Sequence, residues 1–188
     1  MYVTFILSLP AVAYGQTTLE QQRVMLESHN IDRALHCVPP VQWSEQLAAN
    51  AQAWANRCTK ASSGFFSHQP SNPNGENLSW GYSVSNGVPI LPGRSPEQAV
   101  QGWYNEISNY DFNNPFLQTD PGAPSNGHFT QVVWRASTHL GCAQATCQVP
   151  TGGGTTATGT LWVCEYSPRG NFNATPETLR LNVPNLCH

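Results

Sequence analysis

Apolar residues recur at helical spacing in several segments of the chain. Thr18 and Gln21 form the capping-box pattern that begins a helix, and the double proline Pro39-Pro40 ends it. A stripe of small and apolar residues predicts a second helix over residues 44–58, and Ser95-Pro96-Glu97-Gln98 predicts the start of a third that continues to residue 108. A short fourth helix is expected over residues 129–134.

Shorter apolar runs predict three strands, over residues 77–82, 139–145 and 160–166. Residues 150–159 are rich in Gly and Thr, and we expect them to form a flexible hairpin tip between the last two strands. No internal repeat interrupts this order. The fold class predicted is α+β, a single domain in which about four helices flank a small antiparallel sheet.

Two connecting segments are unusually apolar. Residues 84–92 contain Val88, Ile90 and Leu91. Residues 109–125 contain three aromatic residues and a leucine: Tyr110, Phe112, Phe116 and Leu117. Exposed apolar loops are typical of ligand or partner contacts. The same side chains could equally pack back onto the core.

Low charge narrows the range of functions. Charged residues make up 10% of the 188 residues, against about 25% in typical soluble domains, and the net charge is −3. These values exclude the basic surface that nucleic acids or anionic membranes require.

The first fifteen residues have the pattern of a secretion signal. An apolar run is followed by small residues at Ala11, Ala13 and Gly15, which leaves residues 16–188 as the mature domain. The run is shorter than the ~20 residues of a spanning helix, so no membrane anchor is expected. We therefore predict an extracellular protein, with possible glycan acceptors at Asn173 and, as the weaker candidate, Asn77.

Six cysteines agree with export. An even number in an exported chain without a Cys-x-x-Cys pair predicts three disulfides, and spacing alone leaves about fifteen connectivities open. A thiol nucleophile is thereby excluded, and no Gly-x-Ser-x-Gly motif supports a serine hydrolase.

Four residues are candidates for chemistry. Glu106 falls on the apolar stripe of the third helix, where a carboxylate is either a cleft acid or the edge of the stripe. His128 opens the short fourth helix, His68 follows two aromatic residues, and Glu76 precedes a strand. If they converge, two imidazoles and two carboxylates would suit a divalent metal, proton transfer or a buried polar network. His29 and His36 are expected to pack or cap.

These residues belong to a set of ordered motifs that covers nearly all of the chain after the signal. The motifs are His29-Asn30-x-x-Arg33-x-x-His36, Trp43-Ser44-x-x-Leu47-Ala48-x-x-Ala51, Ser67-His68, Gly75-Glu76-Asn77-Leu78, Trp103-Tyr104-Asn105-Glu106, Gly127-His128-Phe129-Thr130-Gln131-Val132-Val133-Trp134 and Val163-Cys164-Glu165-Tyr166-Ser167-Pro168-Arg169-Gly170-Asn171. Together they resemble the CAP superfamily of cysteine-rich secretory proteins, antigen 5 and pathogenesis-related protein 1. Within it, the chain is similar to fungal secreted members of the pathogenesis-related protein 1 type.

The resemblance implies an α-β-α sandwich whose central cleft is lined by His68, Glu76, Glu106 and His128. It implies that the two histidines hold a divalent ion, often zinc, weakly, with the two glutamates nearby. It also implies the disulfide pairs Cys58–Cys147 and Cys142–Cys164, which leaves Cys37–Cys187.

For function, the resemblance implies binding of small hydrophobic lipids outside the cell. Sterols would bind the loop Asn109–Ser125 through Tyr110, Phe112, Phe116 and Leu117, and fatty acids would need a separate apolar channel. Two other hypotheses remain open: a metal-dependent hydrolase that uses the His/Glu tetrad, and a monomeric extracellular module that contacts host or cell-wall components.

Overall fold

The computed structural model describes residues 17–60, 66–85, 88–90, 93–118, 123–152 and 155–187, so the predicted signal lies outside the described residues. The α-helices are α1 (Leu19–Leu35), α2 (Glu45–Ala55), α3 (Pro96–Tyr104), α4 (Gly127–Val132) and α5 (Pro176–Asn182). Short 3-10 helices, Asn56–Lys60 and Asn105–Asn109, extend α2 and α3. The strands are β1 (Gln42–Trp43), β2 (Gly75–Gly81), β3 (Ser83–Ser85), β4 (Val88–Ile90), β5 (His139–Gly152) and β6 (Thr155–Ser167).

The main sheet has helices on both faces, which confirms the expected α+β sandwich. Its order is β1-β5-β6-β2, with antiparallel pairing except for the short parallel strand β1. Alternate residues of a strand point to opposite faces. In β6, Trp162 and Cys164 therefore pack in a core with residues of α1, α3 and α4, while Leu161 and Val163 pack in a second core with α2.

Three features differ from the expectations. The prediction of a ten-residue hairpin tip is wrong, because β5 and β6 stay paired as far as Gly152 and Thr155. The threonines of this segment favour a strand despite its glycines. Part of the apolar segment 84–92 is also not loop, since β3 pairs with β4. The sequence reading missed α5, although Thr175 caps it and Pro176 opens it.

Three disulfides tie these elements together, in the pairs that the resemblance implied. Cys142 and Cys164 face each other across β5 and β6, and Cys58–Cys147 joins the end of α2 to β5. Cys37–Cys187 joins the end of α1 to the C-terminal segment over a separation of 150 residues. In the chain-entropy model a closure of that length stabilises the fold by about 4–5 kcal/mol.

Arg33 of α1 holds the C-terminal end of α4. Its side chain is fully buried and forms no ion pair within the described residues. The guanidinium instead donates to the carbonyl oxygens of Val132 (2.9 Å), Trp134 (3.0 Å), Ser137 (3.0 Å) and Pro39 (2.8 Å). Burial lowers the pKa of Arg33 to about 10, which leaves it charged at neutral pH. A cation is therefore placed at the negative end of the helix dipole.

Glu106 holds the other end of α4. The N-cap residue, Asn126, makes no side-chain capping bond. Oε2 of Glu106 accepts from the backbone N–H groups of His128 (2.9 Å) and Phe129 (3.4 Å) instead. Burial alone would raise the pKa of Glu106, but the hydrogen bonds from the His128 side chain and from these N–H groups outweigh it and lower the pKa. The short helix therefore lies between a carboxylate and a guanidinium.

We expect Arg33→Met to lower the free energy of unfolding by at least about 3 kcal/mol, because buried carbonyl groups lose their donors. Urea unfolding followed by circular dichroism measures the change. Arg23→Met on the exposed side of the same helix is the matched control and should leave the unfolding midpoint unchanged. Equal midpoints for the two variants would contradict the anchoring role of Arg33.

Glu106→Gln should destabilise the protein by about 1–2 kcal/mol at pH 7, because a charge-assisted cap becomes neutral. The pKa of Glu106 is lowered on folding. Its contribution is therefore present above its ordinary pKa of 4.5 and is lost as the pH falls through the lower folded-state value. Urea midpoints of the two proteins should converge below pH 4.5. A gap that is constant from pH 7 to pH 3 would exclude this cap.

Candidate functional site

The predicted tetrad converges on one cavity. A cavity of about 230 Å³ is lined by His68, Glu76 and His128, together with residues of the loop before α4. Glu106 is absent from the lining but contacts His128 directly. Residues that are 60 positions apart in the sequence are thus brought together by β2 and the N-terminus of α4.

His128 and Glu106 form the more enclosed of two histidine–carboxylate pairs. Nδ1 of His128 lies 2.7 Å from Oε1 of Glu106, with 28% and 17% of the two side chains exposed. Trp103 stacks near the imidazole, with ring centroids 6.4 Å apart and planes at 24°. A carboxylate at Nδ1 fixes the proton there and leaves Nε2 as the nitrogen with a free lone pair.

His68 and Glu76 form the second pair at the mouth of the cavity. Nδ1 of His68 lies 2.6 Å from Oε1 of Glu76, an oxygen that also accepts from the backbone N–H of Gln69 at 3.1 Å. The histidine side chain is 65% exposed, whereas that of Glu76 is 4% exposed. Oε2 of Glu76 is buried and has no hydrogen-bond partner among the described residues, which is costly for a carboxylate oxygen.

The donor chemistry of these pairs fits an open divalent-cation site. A carboxylate orients each ring through Nδ1, and no hydrogen bond from the described residues occupies Nε2, the arrangement that supports metal-bound histidines in proteins. The residues that the structure describes contain no cluster of three or more His, Cys, Asp or Glu side chains arranged to hold a metal. A cation here would therefore have two histidine ligands and complete its shell with water, which makes binding weak.

The aromatic residues of the segment before α4 divide into buried and exposed ones. The rings of Tyr110 and Phe112 pack against each other with their centroids 4.9 Å apart. Their centroids lie 5.5 Å and 6.2 Å, respectively, from that of the Phe129 ring. Phe116 is 48% exposed, and Leu117 lines the tetrad cavity. Residues 119–122 of this segment lie outside the described part of the chain.

Tyr110 contributes a polar group to the aromatic cluster. Its hydroxyl is buried without a hydrogen-bond partner among the described residues. Burial raises the pKa of Tyr110 to about 12, so the hydroxyl stays protonated at neutral pH. It can therefore both donate and accept a hydrogen bond.

Asn126 fastens this aromatic segment to the cleft, a role that sequence reasoning missed. Its fully buried side chain donates to the carbonyl oxygens of Phe116 (3.0 Å) and Asn109 (3.4 Å) and accepts from the N–H of Gln118 (2.9 Å). The only local signal was the Ser-Asn-Gly turn ahead of His128. The partners of an asparagine cannot be read from such a turn.

The other candidate residues contribute no side chain to the two histidine–carboxylate pairs. As expected, His29 and His36 pack: His29 contacts the carbonyl of Met25 and the hydroxyl of Tyr166, and burial lowers its pKa to about 4. The weaker glycan candidate, Asn77, is 1% exposed and donates to the carbonyl of His128, so it cannot carry a glycan in this fold. Asn173 is exposed, and its modification stays a prediction.

Glu165 is a further residue that the sequence reading did not single out. It is fully buried on β6, directly across from Glu76 on β2. Burial, and then the charge of Glu76, raise the pKa of Glu165, while hydrogen bonds from Asn74 and other amides oppose the shift. The sequence analysis placed Glu165 on a predicted strand but could not identify its neighbours.

Comparison with known proteins identifies a matching family. Residues 26–166 match the model of the CAP, or cysteine-rich secretory protein, family. The chain is 42% identical over 147 residues to Repressed by EFG1 protein 1 of Candida albicans. The aligned region covers 78% of this chain and 45% of that protein. The chain is 33% identical over 174 residues to Pathogenesis-related protein 1 of Arabidopsis thaliana, which covers 90% of each. The chain thus spans less than half of the Candida relative.

A solved structure shows the same fold. NaASP2, crystallised with Zn²⁺, superposes with a TM-score of 0.60 at 21% identity, over 92% of this chain and 88% of that one. The family match covers most of the sequence, and the fold, the disulfides and the convergent tetrad accompany it. The chain therefore belongs to the CAP (cysteine-rich secretory protein) family, among its fungal members of the pathogenesis-related protein 1 type.

Proposed function

We propose that this protein acts outside the cell and binds small hydrophobic molecules of the sterol class at residues 109–118, beside a cleft that binds a divalent cation weakly. The observation that carries the proposal is the position of Phe116 and Leu117. One large apolar ring is left in solvent, while the next side chain lines the tetrad cavity. Covering such a ring with an apolar ligand is favourable by about 25 cal/mol per Å².

The neighbouring aromatic cluster suits an amphipathic ligand. Phe112 is half-buried and packs against the buried rings of Tyr110 and Phe129, and the Tyr110 hydroxyl is the one polar group of this cluster that lacks a partner among the described residues. A sterol combines a rigid apolar body with a single hydroxyl, so it would match one apolar surface and one hydrogen-bonding group. Fatty acids would bind the same protein at a separate apolar channel.

An extracellular location is supported by covalent chemistry. All three disulfides among the described cysteines would be reduced in the cytosol of most organisms, and they persist in secreted proteins. None of the described helices combines the length and apolar character needed to cross a membrane. The matched family is itself named for secretory proteins.

Zinc is the cation we propose for the cleft, with His68 and His128 as ligands and Glu76 and Glu106 nearby. Support comes from the two Nδ1–carboxylate contacts, which orient both rings, and from the crystallisation of the related NaASP2 with Zn²⁺. A bound zinc ion supplies Lewis acidity and lowers the pKa of its water. The residues of this chain would bind and orient the ion.

His68→Ala and His128→Ala should each abolish measurable zinc binding in isothermal titration calorimetry, because two protein ligands are the minimum for this site. His139→Ala is the control, because that exposed histidine hydrogen-bonds to Thr138 and is not among the residues that line the cavity. Zinc affinity that is unchanged in either cleft variant would refute the assignment of ligands.

Phe116→Ala should weaken the binding of ergosterol or cholesteryl acetate roughly tenfold, since about 1.5 kcal/mol of apolar contact is removed. Phe172→Ala is the matched control, because Phe172 is also exposed (56%) but lies on another segment. Phe116 is preferred to Tyr110 or Phe112, whose truncation would also open the core.

Ligand binding can be measured by the quenching of tryptophan fluorescence and by competition with a labelled sterol. His128→Ala should keep its sterol affinity, which separates the loop from the cation site. Absence of sterol binding by the intact protein, or equal losses in Phe116→Ala and Phe172→Ala, would overturn the proposal.

A further inference from the structure

A second cavity of about 350 Å³ adjoins the tetrad cavity and has a different character. His68, Glu76 and Asn171 line both cavities. The rest of the second lining consists of glycines and polar side chains, with amides from Gln69, Asn72, Asn74 and Gln131 prominent, and no aliphatic or aromatic side chain among the described residues. Typical small-molecule pockets of about 300–1,000 Å³ are mostly apolar, so this lining selects for a highly polar ligand.

The amides on one wall are held in place by a buried carboxylate. Nδ2 of Asn74 donates to Glu165 at 2.7 Å, and Nδ2 of Asn72 donates to the same carboxylate at 3.4 Å. Oδ1 of Asn72 also accepts from the backbone N–H of Asn74. Side chains ordered in this way lose little conformational entropy when a ligand binds.

Gln131, which is 2% exposed, contributes another amide to the lining. Its Oε1 accepts from the N–H of Gly170 at 3.0 Å, and its Nε2 donates to Ser137 at 3.2 Å. A Cβ atom at Gly75 or Gly170 would lie 2.1 or 2.6 Å from this amide, so only glycine allows both strands of chain to approach it.

Asn171 lines both cavities. Its backbone has a positive φ of 58°, which is uncommon for a residue other than glycine. The side chain is fixed at both ends, because Nδ2 donates to the carbonyl of Gly127 at 2.8 Å and Oδ1 accepts from Thr130 at 2.8 Å. The amide wall is therefore continuous from one cavity to the other.

Two acceptors in the second lining are unsatisfied. Oε2 of Glu76 and Oε1 of Gln69 are both buried and have no hydrogen-bond partner among the described residues. Buried acceptors of this kind are stabilised by a donor, such as a ligand hydroxyl. Charge gives no preference, because the acidic Glu76 is balanced by Arg169 at the rim.

We infer that this second cavity is a binding site for a neutral oligosaccharide. Each sugar hydroxyl both donates and accepts, as does each amide side chain, so vicinal hydroxyls can pair with the amide wall while others donate to Glu76 and Gln69. A lipid would leave Oε2 of Glu76 and Oε1 of Gln69 without a donor, and the lining has no excess of one formal charge to select an ion. The inference is independent of sterol binding, which uses the apolar segment.

Titration of the full disulfide-bonded chain with laminarihexaose, mannohexaose and chitohexaose tests the site by NMR. At least one sugar should shift the side-chain amide signals of Gln69, Asn72 and Asn171. Gln69→Ala should weaken that binding roughly tenfold through the loss of one hydrogen-bonding group, because its backbone contact to Glu76 is retained. Gln148→Ala, an exposed glutamine on β5, is the matched control and should bind as the unmodified protein does.

Phe116→Ala should also bind the sugar normally, so failure of this inference and failure of sterol binding give different results. No shift with any of the three sugars at millimolar concentration would overturn the inference. Equal shifts from a neutral Gly-Ser peptide would also overturn it, because they would assign the amide wall to peptide backbone.

Discussion

The fixing of α4 by opposite charges at its two ends is the constraint on which the cleft depends. A helix of six residues is too short to be stable by itself. Glu106 accepts from the N–H groups at its start, and Arg33 donates to the carbonyl groups at its end. Because His128 and Gln131 both project from this helix, its position sets the geometry of both cavities.

Glu106 shows that a structural and a functional role can reside in one carboxylate. Oε2 caps α4, while Oε1 contacts Nδ1 of His128 and fixes the orientation of its ring. The same side chain therefore builds the helix and prepares the histidine. Glu76 is hydrogen-bonded through only one oxygen, since its Oε2 has no partner among the described residues. Of the two acids, Glu76 is the one with free capacity for a ligand.

Amide side chains make many of the connections between segments that ion pairs make in more highly charged proteins. The chain is only 10% charged, and it organises its cleft through Asn77, Asn126, Asn171 and Gln131. An amide both donates and accepts, so it can join two backbone segments without the desolvation cost of a buried charge. The two surfaces beside the tetrad then differ: one carries the exposed aromatic ring of Phe116, and the other is polar and rich in amides.

Local sequence patterns were sufficient to predict the capping boxes at Thr18 and Ser95, the main helices, and the strands of the sheet other than β1. The sequence motifs also implied the family, the disulfide pairs and the four cleft residues. The folded structure was needed to show the extent of the β5–β6 pairing, the hydrogen bonds of Asn126 to the aromatic segment, and the position of Glu165 opposite Glu76. Local sequence patterns indicate which residues are buried and where helices and strands begin and end. The partners of buried polar groups lie far along the chain, as with Arg33 and Val132 at a separation of 99 residues, so only the folded arrangement identifies them.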